Sequence, residues 1–240
     1  MTKPKGYILW EGLSKFDDTP IVVIATLETT NRKTGDMVQT WILPQDSHPG
    51  TGFKENSCDL TTRELQPTNK AICGDCCHLK DRSCYVNWGQ APTSIWYAYK
   101  RGIYTELDSD GILALSGRRI RFGAAGDPAM APTLVWQMLA EFASEHTGYT
   151  HQWRQEWAQG LKPFVQASCD SFQDYLDASA HGWKCYRVLR PGETKQTGEV
   201  HCRASSEMGN KTDCATCHLC DGASANVVIN VHGSRAANYA

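Results

Sequence analysis

The chain has 240 residues, of which 41% are hydrophobic and 21% charged, and its formal net charge is −2. This composition is typical of a globular protein, and the length fits one large domain or one domain with a small appendage. The balanced charge excludes a global field that attracts nucleic acid, so any such partner requires a local basic patch.

The sequence contains no secretory or membrane signal. No apolar stretch reaches the ~18 residues of a membrane span, and the first residues do not resemble a signal peptide. We therefore expect a cytoplasmic protein without a membrane partner. Eleven cysteines in that compartment indicate metal ligands or buried thiols rather than disulfides.

Residues 1–72 are predicted to form a β-rich segment. Short apolar runs at 7–10, 21–26 and 38–43 predict strands, and a polar turn at 31–36 separates two of them.

Residues 73–240 alternate between helical and strand-like patterns. The predicted helices span 92–101, 132–146, 152–159 and 171–180, and the predicted strands span 119–123, 148–151, 164–167, 183–189 and 227–231. Such alternation is typical of a largely parallel sheet, open or closed into a barrel. We predict an α/β fold, a compact or degenerate (βα) barrel with N-terminal strands and metal-binding cysteine knuckles, integrated into one domain.

The terminal cysteine motif is the strongest chemical signal. Cys214, Cys217 and Cys220 follow one another at two-residue gaps, with Cys202 upstream. These gaps let thiolates converge through a tight turn, and Zn²⁺ takes four of them in a tetrahedron. A [4Fe–4S] cluster accepts the same donors. The motif predicts a four-cysteine metal site, with zinc and iron–sulfur as open alternatives.

A second cysteine cluster lies within residues 73–84. Its predicted ligands are Cys73, Cys76 and Cys84, with Cys77 and His78 between them. This arrangement indicates either a zinc knuckle that ties the N-terminal strands to the barrel, or a three-cysteine iron–sulfur site with one iron open to a cofactor.

Two aspartates follow predicted strands and precede predicted helices. Asp127 comes after the small-residue run 123–126, and Asp170 comes after the strand at 164–167. Residues that leave the carboxyl ends of parallel strands line active sites, where two carboxylates can act as nucleophile and general acid or base. Aspartate is also a preferred helix N-cap. The sequence is compatible with either a catalytic role or a helix-capping role for each of the two aspartates.

Four basic residues are candidate nucleic-acid contacts. Arg119 and Arg121 lie on a predicted strand, while Lys100 and Arg101 end a predicted helix. Such side chains contact phosphates, although a solvated surface is the simpler interpretation of each pair.

Several motifs resemble a family encoded by tailed phages that carries two cysteine clusters and has no characterised activity. The resemblance rests on residues 7–12, 31–43, 73–76, 82–86 and 121–128 and on the terminal cysteine motif, and it covers nearly the whole chain. It implies a protein of the host-cell cytoplasm.

The order Asp127, Asp170 and then the terminal cysteines is also similar in architecture to guanine transglycosylases, which are zinc-containing TIM-barrel enzymes. Some phage members insert deazaguanines into DNA. The resemblance implies a pentosyl transferase for DNA modification that exchanges guanine for a deazaguanine in DNA, or less expectedly in tRNA. Asp170 would be the nucleophile and Asp127 the general acid/base or base-recognition group. Nucleic acid and a free nucleobase would be the partners.

The first cysteine cluster resembles instead the cluster site of radical-SAM-type barrels. This resemblance implies that Cys73, Cys76 and Cys84 hold a [4Fe–4S] cluster that binds S-adenosylmethionine. A non-catalytic, zinc-stabilised binding protein is the third interpretation.

Overall fold

The computed structural model describes residues 4–49, 67–80, 83–209, 211–232 and 236–239. Strands and helices alternate over most of this part of the chain. The strands are β1 (Gly6–Leu13), β2 (Pro20–Thr26), β3 (Val38–Pro44), β4 (Thr105–Glu106), β5 (Arg119–Ala125), β6 (Glu145–Thr150), β7 (Gln166–Cys169), β8 (Cys185–Leu189), β9 (Glu199–His201) and β10 (Asn226–Asn230).

Seven α-helices connect or flank these strands in the described residues. They are α1 (Pro67–Cys73), α2 (Cys77–Lys80), α3 (Ala91–Lys100), α4 (Ser109–Leu115), α5 (Thr133–Phe142), α6 (Phe172–Ala180) and α7 (Cys214–Cys217). Short 3₁₀ helices lie at Pro128–Met130, Glu156–Leu161, Ser206–Met208 and Ala236–Asn238.

The N-terminal strands form one end of the sheet. β1 pairs antiparallel with β2, and β2 pairs antiparallel with β3. Strand β2 is a continuous apolar run that is buried on both faces, as expected for a strand covered on each side. β3 then pairs parallel with β5, so the N-terminal strands continue directly into the second part of the sheet.

The second part of the sheet is parallel. Its strands follow the order β3-β5-β6-β7-β8-β10-β9, with each neighbouring pair parallel. The predicted mixed α/β fold is therefore confirmed. In the described residues the edge strands β4 and β9 do not pair with each other, and barrel closure stays a prediction.

The boundary between α5 and β6 differs from the sequence prediction. The helix predicted over 132–146 ends at Phe142, and Glu145 already pairs with Arg119 of β5. The imidazole of His146 stacks on Phe122, with ring centroids 5.0 Å apart. This long-range contact outweighs the local helical pattern. The predicted helix at 152–159 is likewise a 3₁₀ helix at Glu156–Leu161.

Among the described residues, no helix has both the length and the apolar character needed to cross a membrane. The ten cysteines in this part of the chain form no disulfide, and Cys58 lies outside the described residues.

Candidate metal centre and interior cavity

A cavity of about 270 Å³ lies where the two cysteine clusters meet. All seven predicted cysteine ligands line it, whereas the other described cysteines, Cys77, Cys169 and Cys185, do not. The lining cysteines form an N-terminal set and a C-terminal set: Cys73, Cys76 and Cys84 in the first, and Cys202, Cys214, Cys217 and Cys220 in the second.

The N-terminal set is held at the carboxyl ends of β5 and β6. Helix α1 ends at Cys73, and Gly74 follows with a φ of +60°, a conformation that favours glycine. The amide nitrogen of Gln152 donates to the Cys73 carbonyl at 3.1 Å, and a Cβ on Gly74 would lie 2.6 Å from the Gln152 side chain. The backbone N–H of Asp127 donates to the carbonyl of Ile72 at 2.7 Å. These contacts fix the turn between Cys73 and Cys76.

The C-terminal set is held by contacts far apart in sequence. Asp213 caps α7 by accepting from the Thr216 N–H at 2.8 Å. The N–H of Cys214 donates to Lys33 in the turn at 31–36, at 2.9 Å. The N–H of Cys202 donates to Val228 of β10 at 2.8 Å, and Cys220 accepts from Gly148 of β6 at 3.0 Å. The cysteine motif is thus attached to three separate elements.

The sulfur spacing differs from that of a closed zinc site. Tetrahedral Zn²⁺ with bonds of about 2.3 Å holds its thiolates roughly 3.8 Å apart. In the described residues, one group of three potential metal ligands has all its ligand atoms within 4.8 Å of one another. This group consists of Cys77, His78 and Asp170. No three sulfurs of either cysteine set in the cavity meet that limit.

Arg121 brings a positive charge to this cavity. Its guanidinium donates to the hydroxyl of Tyr85 at 3.0 Å, and its buried Nε has no hydrogen-bond partner in the described chain. Burial lowers the pKa of Arg121, but Tyr85, Tyr149 and Cys214 outweigh burial and raise it. The cavity therefore contains a permanent cation beside the C-terminal set.

The carboxylate of Asp127 lines the cavity but is fully engaged by its own chain. Oδ1 accepts from the Ala129 N–H at 2.9 Å and from the Thr150 hydroxyl at 2.7 Å, and Oδ2 accepts from the His151 N–H at 2.8 Å. Burial raises the pKa of Asp127, although His151 and these hydrogen bonds oppose the shift. The capping interpretation is confirmed, because Asp127 is the N-cap of Pro128–Met130.

Glycines before Asp127 are explained by packing. Gly126 has a φ of +78°, and a Cβ there would lie 2.6 Å from the Cβ of Ile42 in β3. The close backbone approach at Gly126 is therefore made to β3, whereas a Cβ on Gly123 would lie 2.9 Å from the carbonyl oxygen of Gly126 and from Pro128.

Asp170 has a different role from the predicted cap. Ser171 is the N-cap of α6, so the capping interpretation is wrong for Asp170. Its carboxylate accepts from Tyr239 Oη at 2.9 Å and lies 2.9 Å from His78 Nε2 and 3.2 Å from Cys77 Sγ. Burial raises the pKa of Asp170, but His151 and His78 outweigh burial and hold it well below the ordinary range.

The group formed by Cys77, His78 and Asp170 could hold a metal ion. The prediction from sequence omitted Cys77 and His78 as ligands. The signal available was the adjacent Cys-His pair after Cys76, but the third ligand lies 92 residues later and no local pattern indicates it.

The four predicted phosphate contacts lie on two elements. Lys100 ends α3 and Arg101 is its C-cap, whereas Arg119 begins β5 and Arg121 faces the cavity. Lys100 donates to the Gln45 carbonyl at 3.1 Å and lies 3.8 Å from the Asp46 carboxylate. The nucleic-acid role of the four residues stays a prediction.

Comparison with protein-family models, with curated proteins and with solved structures gives no match to this chain.

Proposed function

We propose that this chain is an iron–sulfur enzyme that binds two clusters facing one substrate cavity. The first cluster would be bound by Cys73, Cys76 and Cys84, and the second by Cys202, Cys214, Cys217 and Cys220. The observation that carries the proposal is that all seven sulfurs line one cavity while no three in either set lie within 4.8 Å of one another.

This spacing favours clusters over zinc ions. In a [4Fe–4S] cluster each thiolate binds a different iron, so the sulfurs stand farther apart than around one tetrahedral Zn²⁺. The cysteines also come from segments far apart in sequence, and they meet around a volume of about 270 Å³. Zinc in the same sets would require the sulfurs to close inward together.

The number of ligands assigns a different role to each cluster. Four cysteines complete the ligation of a [4Fe–4S] cluster, whereas three leave one iron open to an exchangeable ligand. We infer that the open iron is at the N-terminal set and that S-adenosylmethionine is its ligand. When bound, such a cluster would be held by Cys73, Cys76 and Cys84 and would supply the electron, taken from a low-potential donor protein, for reductive cleavage of S-adenosylmethionine.

The remaining cavity wall favours a planar, anionic substrate. Arg121 provides a permanent positive charge, and Tyr149 and Tyr186 contact each other with ring centroids 4.3 Å apart. Aromatic faces and a guanidinium recognise bases and phosphates. A nucleotide, free or within DNA, is the substrate class that this wall fits best.

The transglycosylase interpretation is less favoured by the geometry. A nucleophilic carboxylate must face the substrate, but Asp170, the predicted nucleophile, does not line the cavity. Both oxygens of Asp127, the predicted general acid/base, already accept hydrogen bonds from the protein. Incorporation of a labelled deazaguanine into DNA by the parent, and its loss in Asp170→Asn, would restore that interpretation.

The proposed activity is tested by incubating anaerobic, iron-loaded protein with S-adenosylmethionine and dithionite. We expect 5′-deoxyadenosine from the parent and from Cys169→Ala, a thiol outside the cavity, and none from Cys84→Ala. Loaded parent protein that produces none would contradict the role of S-adenosylmethionine.

A further inference from the structure

Beside the cavity, three side chains of different chemistry point at one position. His78 Nε2 lies 2.9 Å from Asp170 Oδ1, and Cys77 Sγ lies 3.2 Å from Asp170 Oδ2. All three ligand atoms lie within 4.8 Å of one another, and residue Cys77 is exposed whereas His78 and Asp170 are half-buried. Cys77 and His78 begin α2, whereas Asp170 follows β7, so tertiary structure brings them together.

We propose that Cys77, His78 and Asp170 bind one Zn²⁺ ion, with the fourth coordination position left to water or to a substrate atom. Sulfur, imidazole nitrogen and carboxylate oxygen are the three donor types that Zn²⁺ takes in proteins, and three protein ligands with one open position are typical of catalytic zinc. The site uses none of the seven cavity cysteines and does not depend on the proposed function.

The spacing of the three atoms fits a single ion. Bonds of about 2.0–2.3 Å at tetrahedral angles place zinc ligands roughly 3.3–3.8 Å apart. The observed separations are slightly shorter, at 2.9 Å from His78 Nε2 to Asp170 Oδ1 and 3.2 Å from Cys77 Sγ to Asp170 Oδ2, and the two contacts use different oxygens of the carboxylate. Small outward movements of the side chains would therefore admit the ion without a change in the backbone.

Neighbouring groups orient the ligands as they do in known zinc sites. His78 Nδ1 lies 2.7 Å from the hydroxyl of Ser83, which can accept its hydrogen and leave the lone pair on Nε2 for a metal. Tyr239 stacks on the His78 ring, with centroids 5.0 Å apart, and donates to Asp170 Oδ1 at 2.9 Å. Ser83 and Tyr239 thus hold the His78 imidazole in place, and Tyr239 also holds the Asp170 carboxylate.

The open position has a polar neighbour. His151 Nε2 is buried and lies 3.8 Å from Asp170 Oδ2. His78 and His151 both line the cavity, so the ion would lie at its edge. A water or substrate atom on the zinc would be within reach of His151, which can accept or return a proton.

The alternative is a hydrogen-bonded group that contains no metal. In that case the thiol of Cys77 is only a weak donor to Asp170, and its removal should leave metal content unchanged. Zinc content and the zinc coordination shell distinguish the two arrangements, because a hydrogen-bonded group without a metal contributes to neither measurement.

The test is metal analysis and zinc K-edge X-ray absorption on full-length protein purified without oxygen, supplied with Zn²⁺ and then dialysed. We expect about one zinc per chain, with one sulfur and the remaining ligands nitrogen or oxygen. Cys77→Ala and His78→Gln should each lose this zinc, and circular dichroism verifies their folding. Cys169→Ala and Tyr239→Phe, which keep all three ligands, should retain it, the latter with an affinity lowered roughly 10–100-fold.

Zinc with no nitrogen or oxygen ligand that is retained equally by Cys77→Ala and His78→Gln would overturn this site. Parent protein that retains no zinc would also overturn it. The two proposals fail separately: zinc-free protein that holds iron contradicts only this site, while iron-free protein with zinc bound by one sulfur contradicts only the clusters.

Discussion

The backbone N–H of His151 donates to Oδ2 of Asp127 at 2.8 Å, joining the ends of β6 and β5 beneath the cavity. With Ala129 and Thr150 on the other oxygen, every neighbour of this carboxylate is a donor. An amide at this position would turn its NH₂ toward at least one of them.

Asp127→Asn should therefore lower the free energy of unfolding by about 1–3 kcal/mol, the cost of unsatisfied buried donors. This differs from an ordinary cap, where asparagine replaces aspartate with little loss. Urea denaturation provides the measurement. The matched control is Asp108→Asn, since Asp108 caps α4 through one bond, from Gly111 at 2.8 Å. Equal, small losses in both variants would show that Asp127 only caps.

Much of the fold is predictable from local sequence, because the apolar residues in 21–26 and in 38–43 indicated the strands that the structure contains as β2 and β3. Other elements depend on distant partners. β9 has three residues and begins with Glu199, whose carboxylate is matched by Arg187 of β8. No local pattern predicts a strand there.

The candidate site likewise combines features that local sequence predicts with features that depend on distant contacts. Two-residue gaps identify the C-terminal cysteines in the sequence, but only the contacts of Cys214 with Lys33 and of Gly148 with Cys220 turn them toward the N-terminal set. The shared cavity and the group around Asp170 were therefore not predictable from spacing. Spacing could not separate zinc from a cluster either, because both accept the same thiolates.

Arg121 should raise the reduction potential of the proposed C-terminal cluster. A cluster bound by four thiolates is anionic, and removing a nearby cation makes the addition of an electron harder. Two unit charges on the order of 10 Å apart in an effective dielectric of about 20 interact by roughly 2 kcal/mol.

Arg121→Gln should accordingly lower the reduction potential of that cluster by roughly 50–100 mV, where a tenfold change in a one-electron equilibrium is about 59 mV. A redox titration followed by electron paramagnetic resonance measures the shift. Arg119→Gln is the matched control, because Arg119 is exposed and begins the same strand. Unchanged potentials in Arg121→Gln would place this cation away from the cluster.

The buried ion pair at the sheet edge should be essential for stability. Arg187 donates to both carboxylate oxygens of Glu199, at 2.8 and 2.6 Å, and both side chains are at most 1% exposed. Glu199→Gln leaves a buried guanidinium without its carboxylate, which should cost about 3–5 kcal/mol of unfolding free energy.

Thermal or urea unfolding tests this, with Glu193→Gln as the control. Glu193 lies 3.7 Å from the same guanidinium but is 34% exposed, so its change should cost under about 1 kcal/mol. Similar losses for Glu193 and Glu199 would show that burial does not set the strength of the pair.

Iron and acid-labile sulfide analysis, with Mössbauer spectra of protein purified without oxygen, tests the two-cluster account most directly. The account predicts about eight irons per chain in the parent and in Cys169→Ala, and about four in Cys84→Ala and in Cys217→Ala, with a different spectral component missing from each. Colourless parent protein that contains zinc and no sulfide after reconstitution with iron and sulfide would contradict it.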